Sequence, residues 1–102
     1  MTFVESVIEE AARLFGVRAA HLFDGQARYH DAWVKEAEAA ISYTFWLTQQ
    51  HAILAEHVGR NIQFGPLVTT CIRRRNRDQK YSDLVGELVW FAQRTAMSGA
   101  AA

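Results

Sequence analysis

Residues 60–80 run RNIQFGPLVTTCIRRRNRDQK. Gly65-Pro66 marks the opening of a helix there. Proline fits the first helical position, where its missing N–H has no bond to lose. From Pro66 to about Arg77 the apolar residues return at helical spacing. Stepping about 100° per residue from Val68 puts Leu67, Val68, Cys71 and Ile72 on one side. That side is expected to face a core. Thr69, Thr70, Arg73 and Arg77 fall on the opposite side and are expected to face water. Arg74 and Arg75 lie toward the flanks, placed to meet a phosphate or an acidic neighbour. The stretch holds Arg60, Arg73, Arg74, Arg75, Arg77 and Lys80 against Asp78, a net of +5. Residues 1–59 hold four cations against eight acids, a net of −4, and the whole chain is neutral. The positive charge is therefore gathered on one amphipathic helix behind a turn, a pattern that suits the phosphate backbone of DNA. The plainer reading is that Arg and Lys near a helix C-terminus complement its dipole on a solvated face.

The segments before this helix also read as helices. Thr2 and Glu5 have the spacing of a capping box. A helix over about Phe3–Phe15 follows, with Val4, Val7, Ile8, Ala11, Ala12, Leu14 and Phe15 on its apolar side. Gly16 stands where a left-handed cap stops it. Val17, Leu22 and Phe23 indicate a short turn packed back on the domain, and Asp24-Gly25 breaks the chain. The loop 26–30 carries Arg28. Asp31 is the expected N-cap of a long helix from near Ala32 to Leu47. Its expected buried side holds Trp33, Ala37, Ala40, Ile41, Thr44, Phe45 and Leu47, with Lys35, Glu36 and Glu38 in water. Thr48 or Gln49 opens a shorter helix with Ile53, Leu54 and Val58 apolar, ended by Gly59. Residues 60–65 form an extended turn, and Phe64 is expected to staple the next helix. Ser82 is the expected N-cap of a last helix, Asp83 to about Thr95, burying Leu84, Val85, Leu88, Val89 and Phe91.

No stretch alternates as a strand does, and no repeat or linker appears. The expectation is one all-α domain, residues 1–97, a compact bundle of about five to six helices containing a helix-turn-helix with an extended turn. Residues 98–102 form a frayed tail. At 102 residues the chain has room for one modest core. Trp33, Trp46 and Trp90 are expected to anchor it. The single cysteine, Cys71, excludes an internal disulfide and suits a reducing cytosol. No apolar run has the length of a membrane span, and no leader pattern is visible at the N-terminus.

Other chemistry has little support in the sequence. His21, His30, His51 and His57 lack the spacing that puts two ligands on one helix face, so no metal is expected. Cys71 on the core side reads as a small hydrophobe. Glu9-Glu10 and Glu36 with Glu38 read as solvated faces and not as an acid/base pair. No catalytic constellation is present, and no enzyme or cofactor is expected.

The chain resembles the C-terminal DNA-binding domain of the bacterial replication initiator DnaA, a helical fold shared with the Trp repressor. Ala11-Ala-Arg-Leu-Phe-Gly-Val17 with Leu22-Phe23 is similar to that family's opening helix. Residues 39–47 stand where the family has its long central helix. Leu54-Ala-Glu-His-Val-Gly-Arg60 and Val68 to Arg73 resemble its Ile-Gly-Arg helix and the recognition helix after it. The family's base-reading signature, Arg-Asp-His-Thr-Thr-Val, is replaced here by Gln63-Phe-Gly-Pro-Leu-Val68, in which only Val68 matches. The initiator's own boxes are therefore not the expected target. No phosphate loop or acidic metal pattern is present, so initiator ATPase activity is not expected. The resemblance implies a stand-alone, divergent module that lays the helix 66–77 in the major groove of double-stranded DNA. Its expected contacts are Arg28 in an adjacent groove, then Arg60, Thr69, Thr70, Arg73, Arg74, Arg77 and Lys80 on bases and phosphates. A transcriptional regulator, of phage or prophage-like origin among the options, or equally a DNA-binding fragment of a longer regulator, follows as the expected function, acting as a monomer or homodimer. The alternative is a protein-interaction module that docks on RNA polymerase or another regulator.

Overall fold

The computed structural model describes residues 1–24, 32–59 and 62–101, the last five by backbone alone. Among the described residues five helices make an all-α bundle: α1 Phe3–Phe15, α2 Ala32–Leu47, α3 His51–Val58, α4 Phe64–Arg77 and α5 Gln79–Ala101. A 3-10 turn, Ala19–His21, follows α1.

The ends of α1 are fixed locally. The Glu5 amide donates to Thr2 Oγ1 at 3.1 Å and the Thr2 amide to Glu5 Oε1 at 3.4 Å, which closes the capping box. Gly16 takes φ 68° and stops the helix. Gly59 does the same for α3 at φ 70°. Both are left-handed positions that a side chain would strain.

The bundle is organised on α2, which meets each of the other four helices. Its buried residues are mostly short: Ala37, Ala39, Ala40, Ser42 and Thr44, with Val34, Ile41 and Phe45. The hydroxyls turn back on their own helix, Ser42 to the Glu38 carbonyl and Thr44 to the Ala40 carbonyl, both at 2.8 Å. Buried polarity is thereby satisfied without a partner from outside. Into this surface fit Val7 and Phe15 of α1, Leu54 of α3, Cys71 of α4, and Val85 and Leu88 of α5.

Several side chains differ from the expectation. Trp33, Trp46 and Trp90 do not anchor the core; they are 48 %, 50 % and 59 % exposed. Helices that approach over alanines leave no room for indoles, so α2 carries its two tryptophans on its flanks. Leu47, Ile53 and Ile72 are exposed as well. Glu36 and Glu38 do not simply face water. Glu38 accepts the Phe23 amide at 2.5 Å and so holds a residue whose φ of 60° is unusual for phenylalanine. Phe64 packs inward, its ring edge-on to Phe23 at 6.3 Å.

Two helix boundaries also move. α4 begins at Phe64, two residues before Pro66. Proline is still harmless there, because first-turn N–H groups have no intrahelical partner. α5 begins at Gln79, so Ser82 lies inside the helix and does not cap it. Asp78 is the cap: Oδ1 accepts the Tyr81 amide at 3.1 Å. One residue thus separates two helices. α5 also runs on to Ala101, past the end expected near Thr95 and through the tail expected to fray. Asp31, expected as the cap of α2, lies outside the described residues.

Replacing Leu88, fully buried, by Ala should destabilise the domain by about 2–5 kcal/mol in denaturant titrations. The native tryptophan fluorescence should be quenched readily by acrylamide, because all three indoles meet solvent. Protection close to that of a buried indole would contradict this packing.

Candidate nucleic-acid interface

α4 packs on α2 and α5, whereas α3 rests on α2 and α1. α3 precedes α4 in the chain, and α2 supports both. The buried side of α4 is Val68 and Cys71, with Phe64 and Leu67 partly buried beside them. The opposite side is open: Pro66, Thr69, Thr70, Arg73, Asn76 and Arg77 are all exposed. These positions recur at three- and four-residue steps and so form one stripe along the helix. Lys80, beyond the extended Asp78 and at the start of α5, is also exposed.

Within this stripe the charges differ from those on its flanks. Among the described residues no carboxylate pairs with Arg73, Arg77 or Lys80. Arg74 is engaged by the chain's own acids, with Nη2 3.0 Å from Glu36 Oε1 and 3.1 Å from Asp78 Oδ2. Its guanidinium also lies 5.7 Å from the centre of the Tyr81 ring. Arg75 donates through Nη1 to the Tyr43 hydroxyl at 2.8 Å and through Nε to Ser82 Oγ at 3.2 Å. Arg74 and Arg75 tie α4 to α2 and α5, while Arg73 and Arg77 project from the tied helix. Half of the basic run holds the platform and half is presented on it.

The hydroxyls also divide. Thr70 Oγ1 donates to the Pro66 carbonyl at 2.9 Å, so its proton is committed to the helix and it offers outward a methyl and lone pairs. Thr69 makes no side-chain hydrogen bond among the described residues, and its proton remains available to an acceptor. The first turn of α4 has no side-chain cap. Its amides leave partial positive charge at the end of the stripe, beside exposed Gly65 and Pro66. Asn76 joins the stripe although the sequence analysis did not single it out. The same helical stepping that placed Arg73 would have found it, because it falls about 20° from Thr69 at the edge of the stripe. Arg28 and Arg60 lie outside the described residues.

Beneath the stripe, Tyr81 and Cys71 are buried at the junction of α2, α4 and α5. Tyr81 is buried and donates its hydroxyl to the Glu36 carbonyl at 2.9 Å. Burial, foremost, raises its phenol well above the ordinary tyrosine range. Burial likewise pushes the Cys71 thiol up. A buried thiol held protonated is a packing group and not a nucleophile. Among the described residues no group of His, Cys, Asp or Glu is arranged to hold a metal ion. No helix among them is long and apolar enough to cross a membrane.

Cys71 should react with a disulfide reagent only as fast as the domain opens, so labelling should accelerate with denaturant. Asp78 is held below the usual carboxylate range, chiefly by the Tyr81 amide and then by Arg74. Its contribution is complete above the unfolded value of about 3.9 and is lost as pH falls through the lower folded value. Asp78→Ala should therefore lower the melting temperature at neutral pH, and the gap from wild type should narrow on acidification below about pH 4. Comparison of the chain with protein-family models, with curated proteins and with solved structures finds no match, so the geometry of the stripe carries the functional reading.

Proposed function

We propose that the protein is a duplex-DNA-binding module, with α4 laid in the major groove and α3–turn–α4 serving as an extended helix-turn-helix. One observation carries the reading: Arg73 and Arg77 project from a helix that is otherwise fastened to the domain, with no carboxylate partner among the described residues. A polyanion gains most from cations that are positioned and not already neutralised. Thr69 reaches a phosphate through its hydroxyl, and Thr70 offers a methyl to a thymine. Asn76 is suited to an adenine edge, and Arg73 to a guanine or to the backbone. Lys80 and the first-turn amides of α4 extend the phosphate footprint to both ends of the stripe. The likeness to the initiator's DNA-binding domain supports the same placement, and the changed residues 63–67 support a different target sequence. Regulation of transcription is the role such a module would serve. Arg74 belongs to the platform and not to the contact set, because Glu36 and Asp78 already hold it.

Fluorescence anisotropy with a labelled duplex should show binding that weakens steeply with salt. Arg73→Ala and Arg77→Ala should each reduce the log–log salt slope by about 0.9. Both should leave stability within about 0.5 kcal/mol of wild type. Arg74→Ala should instead lower the melting temperature. Binding that stays flat as salt rises, or that ignores the Arg73 and Arg77 changes, rules the reading out.

A further inference from the structure

The outer face of α5 forms a second surface that shares no residue with the basic stripe. Gln79, Asp83, Glu87, Trp90 and Arg94 follow one another along it, all exposed. Trp90 is the most exposed of the tryptophans, and the Arg94 guanidinium covers its ring at 4.9 Å from the centre. Beside it a shallow groove of about 670 Å³ lies between α4 and α5. Gly86 lies in its floor, and Arg75 and Trp90 are among its walls. Arg75 is a fixed wall, because Tyr43 and Ser82 hold it.

Gly86 has no reason to be glycine within one copy of the chain. Glycine weakens a helix interior, and a Cβ at this position would meet nothing within 4 Å. Outside the monomer it leaves space for another backbone or side chain to come close. The charges along the face are also ordered, with Asp83 and Glu87 toward the start of α5 and Arg94 toward its end. Read in reverse, this pattern complements itself.

We infer that a second copy of the chain docks here, α5 against α5 in antiparallel orientation. A two-fold axis crossing α5 at the level of Leu88 brings Trp90 of each copy over Gly86 of the other. The same axis sets Asp83 within one residue of the level of Arg94, and Glu87 within one residue of the level of the Trp90 indole, whose N–H it accepts. A two-fold contact makes each pairing twice. Two central tryptophans supply the anchors, and the rim charges fix the register and direction. A parallel arrangement would set like charges against each other. None of these residues lies on the stripe of α4, so the inference does not depend on DNA binding.

Sedimentation velocity of the whole chain across the micromolar range should show a concentration-dependent dimer. Trp90→Ala should weaken it by about tenfold or more. Gly86→Leu should do the same while the melting temperature holds or rises, which separates a blocked interface from a damaged fold. Asp83→Arg and Arg94→Asp should each weaken the dimer, and the double variant should recover it. A monomer throughout that range overturns the inference. So does a dimer indifferent to Trp90→Ala and Gly86→Leu, or a double variant no better than the single ones.

Discussion

Four helices lean on α2, and many of the residues that receive them are short. Ala37, Ala39 and Ala40 are fully buried, and Ser42 and Thr44 bond back to their own helix. Small side chains let helix backbones approach, and close approach lets a 102-residue chain bury its larger residues. Phe45, Ile41, Leu54 and Leu88 fill the space around this surface. The same constraint excludes the tryptophans, which are too large for a seam lined by methyl groups. Fixing α2 therefore fixes the direction of α4, and with it the direction in which Arg73 and Arg77 point.

A basic run serves two purposes on a helix anchored in this way. Arg74 and Arg75 face neighbours and become fasteners, to Glu36 and Asp78 in one case and to Tyr43 and Ser82 in the other. Arg73 and Arg77 face away and meet no carboxylate among the described residues. The division follows from helical geometry, since adjacent residues diverge by about 100°. It also gives the exposed cations a base that is fastened to the rest of the domain. Asp78 completes the arrangement by standing as the single residue between α4 and α5. It caps α5 through the Tyr81 amide and receives Arg74, so one carboxylate joins local chain geometry to tertiary packing.

The helices themselves were legible wherever the sequence carried its own punctuation. Thr2 with Glu5, Gly16 and Gly59 mark ends by backbone chemistry that involves only nearby residues. The stripe of Thr69, Thr70, Arg73 and Arg77 was legible because a helix wheel needs no knowledge of the fold. Asp78 as a cap was not, because Ser82 offered an equally good local signal and only the α4–α5 corner decides between them. The indoles were misplaced for a related reason. Hydrophobicity says that a side chain gains by burial, but not whether the seam it would enter is wide enough.

By itself the sequence determined an all-helical chain, the apolar face of α1, the exposed stripe of α4 and the segregation of its charge. Those depend on neighbours within a few residues, where backbone periodicity and capping hold regardless of the rest. The tertiary structure alone decided which arginines are neutralised, which aromatic residues meet water and where a glycine opens the surface. Those depend on residues distant in the chain, such as Glu36 beneath Arg74 or Tyr43 beneath Arg75. Their distances exist only once the helices have packed.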